Sequence, residues 1–332
     1  MIAMALAFLA AALLSLWFSS AHTPLHILDA PNERSLHEHP IHRTGGLAIL
    51  AGVLIGWLLL TMQSGWPASM SWIATAAALI AGVSLVDDIK ELSPLTRLVV
   101  HGLAAVVLMV GGLVIPGGLF GLILTALAIV WALNLFNFMD GMDGFAGGMA
   151  AFGFGFLAIA GWLQGDIQYA LYCSVVSAAS VGFLCLNFPP ARIFMGDTGA
   201  ATLGLLAAAC SLWGIRNELF PLWFPLMVFS PFIVDATVTL IRRALRRECI
   251  WEAHCTHYYQ RLVKSVGWSH RKTVLWEYLL MFSVGASALL ALFNVQFVPA
   301  CLLFWCIAYI SLACWVDTIC AKSDTRKTNG HN

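Results

Sequence analysis

The chain has 332 residues, 60% of them hydrophobic and only 10% charged, with zero formal net charge and a mean hydropathy of +0.85. Soluble domains carry about 25% charged residues, so a water-wetted globule around this much apolar surface is excluded and lipid must be the main solvent. No nucleic-acid partner is expected, although the neutral total is uninformative because the charges are so unevenly placed.

Long continuous apolar runs, such as Ile2–Ser20 and Ser71–Val86, exclude a β-barrel, whose strands alternate lipid-facing and lumen-facing residues over about ten positions. Backbone groups in hydrocarbon must be paired within their own segment, so these runs read as helices. In chain order they fall near 2–20, 45–62, 70–86, 97–114, 119–136, 146–163, 168–186, 200–214, 220–241, 273–293 and 298–317. The predicted fold is therefore all-α, a polytopic membrane protein with about eleven crossings. Ser19-Ser20-Ala21 loosely fits a cleavage site, but Met1-Ile2-Ala3-Met4 has no positive leader, so the first run reads as a retained helix. The nine cysteines imply no disulfide framework; most lie in apolar runs, where cysteine behaves as a small hydrophobe.

Every lysine and arginine except Arg216 falls on one side of this arrangement, including Arg34, Arg43, Lys90, Arg97, Arg192 and the run from Arg242 to Lys272. By the positive-inside rule that side is cytoplasmic, with the N-terminus periplasmic and the C-terminus cytoplasmic. The opposite connections are short and hold almost no chemical groups. Residues 1–332 therefore read as one transmembrane catalytic domain, with its working loops near 21–44, 87–96, 137–145, 187–199 and 242–272.

The first of these loops runs from Pro31 through Arg34 and His37 to Arg43, Thr44, Gly45 and Gly46. A cationic segment closing on Gly-Gly at a helix start suits phosphate, which backbone N–H groups can cradle. A solvated, topology-setting loop is the plain alternative. In the second, Asp87 and Asp88 end the third helix, where acids oppose the helix dipole. Each would cost about 2.5–3.5 kcal/mol at the bilayer centre, so a divalent metal or a basic substrate-binding partner is the expected justification.

The third loop, Asn134-Leu135-Phe136-Asn137-Phe138-Met139-Asp140-Gly141-Met142-Asp143-Gly144, repeats oxygen-bearing side chains at every third position, which aligns them on one helical face. Such hard ligands suit Mg²⁺ rather than zinc; a calcium loop is the rival, but its terminal glutamate is absent. The fourth loop runs from Asn187 through Arg192 and Phe194 to Gly196-Asp197-Thr198-Gly199. Asp197 precedes a helix, so it is either a cap or part of a metal–phosphate site with Arg192 and Phe194.

In the fifth, Arg242, Arg243, Arg246 and Arg247 can bind anionic lipid. If the segment from Glu252 to Leu262 is helical, His254, His257 and Arg261 share a face suited to phosphates. Zinc with Cys255 is disfavoured, because one cysteine between two histidines lacks a closed-site pattern. Asp235, inside the ninth helix, is functional by default, lining a lipid-phosphate groove or pairing with a cation. Glu277 and Asp317 also fall in helices and are given no role.

Taken in order, Asp87-Asp88, Asn137-Phe138-Met139-Asp140-Gly141-Met142-Asp143-Gly144 and Phe194-Met195-Gly196-Asp197-Thr198-Gly199 resemble the signatures of the polyprenyl-phosphate N-acetylhexosamine-1-phosphate transferase superfamily, glycosyltransferase family 4. Members that load muramyl-pentapeptide carry three contiguous histidines. Here His254 and His257 are split by Cys255-Thr256, which resembles the O-antigen-initiating branch and its 6-deoxy sugars, N-acetylfucosamine or N-acetylquinovosamine. A UDP-N-acetylglucosamine-specific member is the alternative within the family.

The resemblance implies transfer of a sugar-1-phosphate from a UDP-sugar to undecaprenyl phosphate with release of UMP, as the first membrane step of a cell-envelope glycan. The metal would be Mg²⁺, with Mn²⁺ as a substitute, held by Asp197 with Asn137 or Asp140. Asp143 and Phe194 would hold the uracil, while Arg43, Arg192, His254, His257 and Arg261 would meet phosphates. Asn134 and Asn187 complete the expected substrate-binding set, and Asp87, Asp88, Asp140 and Asp197 the catalytic set. Asp87 and Asp88 are open between base, nucleophile and metal organiser. Besides the two substrates and membrane lipid, a homodimer is left open as a partner state. A cation-coupled transporter and a non-catalytic lipid-binding scaffold are the competing classes; a transporter would place its acids near the bilayer midplane.

Overall fold

The computed structural model describes residues 1–20, 23, 25, 27–29, 40–249 and 254–329, with side chains as far as Ser323. The readings that involve Ala21, 31–37 with Arg34, Glu252 and Ala253 lie outside the described residues, as do the side chains of Arg326 and Lys327.

Among the described residues, eight helices are long and apolar enough to cross a bilayer, and two shorter ones, Ile2–Phe18 and Pro94–Val110, are mainly apolar. In chain order the first eight helices are α1 (Ile2–Phe18), α2 (Gly45–Ser64), α3 (Ala68–Lys90), α4 (Pro94–Val110), α5 (Gly118–Met139), α6 (Phe145–Leu163), α7 (Ile167–Asn187) and α8 (Gly196–Arg216). After two shorter helices, α9 (Trp223–Val228) and α10 (Ser230–Leu245), come α11 (Tyr258–Lys264), α12 (His270–Phe293) and α13 (Val298–Asn329). The chain is a polytopic membrane protein.

Two boundaries depart from the sequence reading. The ninth expected span, 220–241, is two helices: Phe229, at φ −93° and ψ 6°, separates α9 from α10. Pro225 and Pro231 flank it, and a proline cannot donate to the helical ladder. The all-helical expectation also acquires a short antiparallel pair, β1 (Leu28–Asp29) with β2 (Ile41–His42), in register Leu28 opposite His42. The last helix continues well past the expected 317, to Asn329.

α8 lies at the centre of the bundle, packed by α2, α3, α5 and α6. Of its most apolar 18-residue stretch 83% is buried, against 6% for the last span, so α13 is peripheral. Small residues let the backbones approach, as in membrane bundles generally. Ala3, Ala7 and Ala11 of α1 are buried against α2 and α7, and Gly52 faces the carbonyl of Ala7. Because α8 is central, its N-terminus is surrounded by the ends of its neighbours, which gathers loops from distant parts of the sequence. At its other end Arg216 donates to the carbonyl of Gly111 at 2.7 Å. The one basic residue on that side thus caps the C-terminus of α4, where a cation is favourable.

Candidate active site at the start of α8

α8 begins at Gly196, whose φ of +73° suits glycine and turns the chain sharply into the helix. Its first amide groups have no partner within the helix. Asp88, from the end of α3, supplies one: Oδ1 accepts from Asp197 N–H at 3.0 Å, and Oδ2 accepts from Thr198 N–H at 2.9 Å and Thr198 Oγ1 at 2.6 Å. The Asp88 side chain is 1% exposed. A carboxylate from another helix therefore performs the capping, and the reading of Asp197 as its own helix cap is corrected.

Asp197 is left free to face two cations. Arg43 Nη2 lies 3.7 Å from its Oδ1 and Arg97 Nη1 lies 3.7 Å from its Oδ2. Arg43 also approaches Asp88 at 3.7 Å and Asp29 at 3.8 Å. Burial opposes the Arg43 charge, but the carboxylates of Asp197, Asp88, Asp29 and Asp140 more than offset it and hold the guanidinium above its ordinary range. Arg97 pairs at 3.4 Å with Asp87 Oδ2, while Asp87 Oδ1 accepts from Leu92 N–H and so closes the turn between α3 and α4. In the sequence Arg97 and Asp29 carried no chemical signal. Arg97 counted only toward topology, and Asp29 belongs to no motif.

Arg43 is fixed by backbone. Its N–H donates to Ile27 O at 2.9 Å, and the neighbouring His42 O accepts from Phe194 N–H at 2.8 Å. The amides expected to cradle phosphate are occupied: Gly45 N–H donates to Phe194 O at 2.9 Å and Gly46 N–H to Met195 O at 2.8 Å. Gly46 instead sits against the backbone of Gly199, leaving no room for a Cβ. The Gly-Gly pair serves close packing of α2 on the start of α8, not anion binding.

The third and fourth loops are stitched together by side chains. Asn187 Oδ1 accepts from Gly144 N–H and its Nδ2 donates to Ile193 O, each at 2.9 Å. Asp143 Oδ2 accepts from Ala191 N–H at 3.0 Å and lies 3.3 Å from His270 Nδ1, a partner the sequence did not reveal. Asp140, just beyond α5, has no hydrogen-bond donor to its carboxylate among the described residues. Burial, then the Asp197 carboxylate, pushes its acid well above the ordinary range, with Arg43 opposing. Asn137 is half-buried a turn earlier. Asn134 turns toward α4, donating to Val130 O at 2.7 Å and lying 3.4 Å from His101 Nδ1. Arg192 is exposed and Phe194 half-buried.

The fifth loop is organised by Asp235 of α10. Its Oδ1 accepts from Thr239 Oγ1 at 3.1 Å and Tyr258 N–H at 3.0 Å and lies 3.2 Å from His257 Nδ1; its Oδ2 accepts from Tyr259 N–H at 3.3 Å. The helix starts only at Tyr258, so the expected shared helical face of His254, His257 and Arg261 is corrected. The His254 and His257 rings still lie 4.8 Å apart, brought together by the loop rather than by helical spacing. Tyr259 stacks beside His257 and reaches the third loop, its hydroxyl donating to Phe138 O at 3.4 Å over Gly141. Arg261 turns away from that contact to Asp317 of α13, at 2.6 Å, which Arg242 also meets at 2.8 Å.

Among the described residues no three carboxylate, imidazole or thiolate side chains converge tightly enough to form a closed metal cage. The oxygen donors at these loop ends suit Mg²⁺ in the open manner usual for that ion, with one or two carboxylates plus water and substrate phosphates. Asp140 is the clearest observation for this fit: a half-buried carboxylate with no donor among the described residues, whose charged form is opposed by burial and by Asp197, is one that a bound cation would stabilise. Asp197 and Asp140 would hold the ion, with Asn137 assisting.

The family model described as "Glycosyl transferase family 4" matches residues 70–215, which span Asp87, Asp88, Asp140 and Asp197. Curated relatives extend the likeness over most of the chain. A probable undecaprenyl-phosphate N-acetylglucosaminyl 1-phosphate transferase of Bacillus subtilis is 32% identical over 276 residues, 79% of this chain and 76% of that protein. The decaprenyl-phosphate N-acetylglucosaminephosphotransferase of Mycobacterium tuberculosis is 32% identical over 309 residues, 79% and 75% of the two chains. An undecaprenyl-phosphate alpha-N-acetylglucosaminyl 1-phosphate transferase of Yersinia pestis is 27% identical over 288 residues, 81% and 76%. With acidic and basic groups from five chain segments gathered at one end of the central helix, the chain belongs to glycosyl transferase family 4, as a membrane glycosyl-1-phosphate transferase that moves an N-acetylhexosamine-1-phosphate onto a polyprenyl phosphate.

Proposed function

We propose that the donor is a UDP-N-acetylhexosamine, the acceptor undecaprenyl phosphate and the released product UMP. An oxygen of the lipid phosphate attacks the sugar-linked phosphorus, and the bridging oxygen leaves with UMP; one phosphoanhydride forms as another breaks. Such a transfer depends on positioning and charge neutralisation rather than on a strong base. A phosphate monoester has its second pKa near about 6, so the nucleophile is already largely dianionic at neutral pH.

The observation that carries this reading is Asp197, fixed at the start of the central helix by the Asp88 cap and flanked by Arg43 and Arg97. Mg²⁺, when bound, supplies neutralisation of the diphosphate and of the leaving UMP. Asp197 and Asp140 hold the ion, and Arg43 and Arg97 bind phosphate oxygens while keeping Asp197 oriented. Asp88, with both oxygens engaged and its side chain 1% exposed, is a positioning residue in this scheme rather than the nucleophile. Asp87 holds Arg97. Asp143 and Phe194 contact the uracil, and His254 and His257 the phosphates. UDP-sugars are cytoplasmic, so this face belongs on the cytoplasmic side of a bacterial inner membrane, as the basic loops also favour.

The donor favoured here is UDP-N-acetylglucosamine, because the relatives' names carry that sugar. The split His254-Cys255-Thr256-His257 motif favours a second reading, a 6-deoxy N-acetyl sugar for O-antigen initiation. Purified protein incubated with Mg²⁺, undecaprenyl phosphate and each UDP-sugar in turn decides between them by UMP release. Release with none of the UDP-N-acetyl sugars would overturn the donor assignment.

A further inference from the structure

We propose that Asp235 is a positioning residue of the transfer reaction, which selects the Nδ1–H tautomer of His257 and aims the ring through the start of α11. The inference rests on the reading that His257 serves the phosphates. Asp235 is buried at 8% exposure inside α10, and its two oxygens take the Tyr258 and Tyr259 amides, the Thr239 hydroxyl and the His257 ring. An ionised carboxylate only accepts, so the 3.2 Å contact with Asp235 favours a proton on the facing nitrogen, Nδ1, against the backbone N–H of Gln260, which also points at the His257 side chain as a capping donor.

In a neutral imidazole Nε2 is then the free acceptor, and in the charged ring it is the free donor. Either form presents one defined atom to a ligand. The same carboxylate holds the first two amides of α11, so ring and helix cannot reorient separately. Tyr259, on the next residue, stacks on His257 at 5.9 Å and reaches Phe138 O, which ties the fifth loop to the loop of Asn137 and Asp140. A carboxylate that fixes the tautomer of a functional histidine is a recurring device, and for metal-bound histidines its loss costs about 10–100-fold in affinity or activity, the scale taken here. A cap alone would hold α11 but would leave the ring free to choose its tautomer.

The test uses the full chain in detergent with ¹⁵N-labelled histidine, the His257 resonances being assigned by difference from His257→Gln. Wild type is expected to show His257 protonated on Nδ1, and Asp235→Asn to shift the ring toward Nε2–H. In turnover, Asp235→Asn should lower kcat about 10–100-fold with KM for UDP-N-acetylglucosamine little changed, and Asp235→Glu should recover part of it. In the His257→Gln background, Asp235→Asn should add almost nothing.

An Nε2–H ring in wild type would overturn the proposal, as would an equal loss of kcat with and without His257. Asp235→Asn keeps an acceptor for only one of the two α11 amides, so its thermal midpoint is measured beside kcat: a rate loss with the midpoint kept is positioning, and a rate loss explained by unfolding would overturn the proposal. Should the wild type turn over no UDP-sugar, the functional reading fails, while the tautomer measurement still decides this inference.

Discussion

Asp88 and Asp197 lie 109 residues apart, yet the carboxylate of the first accepts the backbone amide of the second at 3.0 Å. The relationship divides labour between two acids that look alike in the sequence. One is consumed as the cap of α8, and the other keeps its carboxylate for ligands. Replacing Asp197 by Ala should abolish turnover and leave the thermal midpoint and gel-filtration profile intact. Replacing Asp88 by Ala should abolish turnover and also cost about 1–2 kcal/mol of stability, the usual worth of a helix cap. Thermal unfolding of the two variants side by side checks the distinction. An Asp88→Ala protein as stable as Asp197→Ala would remove the capping role.

Arg97 bridges Asp87 and Asp197 at 3.4 and 3.7 Å and is more than a third exposed. Exposed ion pairs contribute about 0–1 kcal/mol to stability, whereas a preorganised cation beside a transferring phosphoryl group is worth about 10²-fold or more in rate. Arg97→Ala is therefore expected to lose at least that much kcat with a nearly unchanged thermal midpoint. Steady-state UMP release checks it, and full activity would reduce Arg97 to a surface pair.

Gly46 packs on the backbone of Gly199, with its amide bonded to Met195 O. A methyl group there has backbone rather than a flexible side chain to displace. Gly46→Ala should cost about 1–3 kcal/mol and lower turnover in step, because α2 and the start of α8 would be pushed apart. A variant with wild-type stability but impaired donor binding would instead revive the anion-cradle reading of the Gly-Gly pair.

Chelation with EDTA is expected to stop turnover, and Mg²⁺ to restore it, with Mn²⁺ as a weaker substitute. The open donor set around Asp197 and Asp140 predicts that the ion is held weakly until the diphosphate arrives, since Mg²⁺ keeps waters and substrate oxygens in such sites. Titrating Mg²⁺ with and without UDP-N-acetylglucosamine by calorimetry should show tighter binding in its presence. Activity that survives thorough chelation would exclude the metal.

Much of the architecture was readable from hydropathy, because lipid forces backbone pairing within each segment and leaves long apolar runs only one solution. The acidic loops were readable for a related reason: carboxylates at membrane helix ends are costly enough to need a purpose. The break at Phe229 could have been suspected from Pro225 and Pro231, but apolar character ran across it unbroken. Periodicity misplaced His254, since it assumes a helix that in the structure begins only at Tyr258.

From the sequence alone came the membrane class, the side on which the polar groups gather, and the residue types able to hold a metal-bound diphosphate. Those follow from composition and spacing, which are local properties. The tertiary structure decided which acid does what. Asp88 and Asp235 cap helices from elsewhere in the chain, Arg97 turns to Asp197, and Gly45 and Gly46 spend their amides on backbone. Such assignments depend on which hydrogen-bond donors lie within about 3 Å, and packing around the buried α8 sets those distances between segments a hundred residues apart.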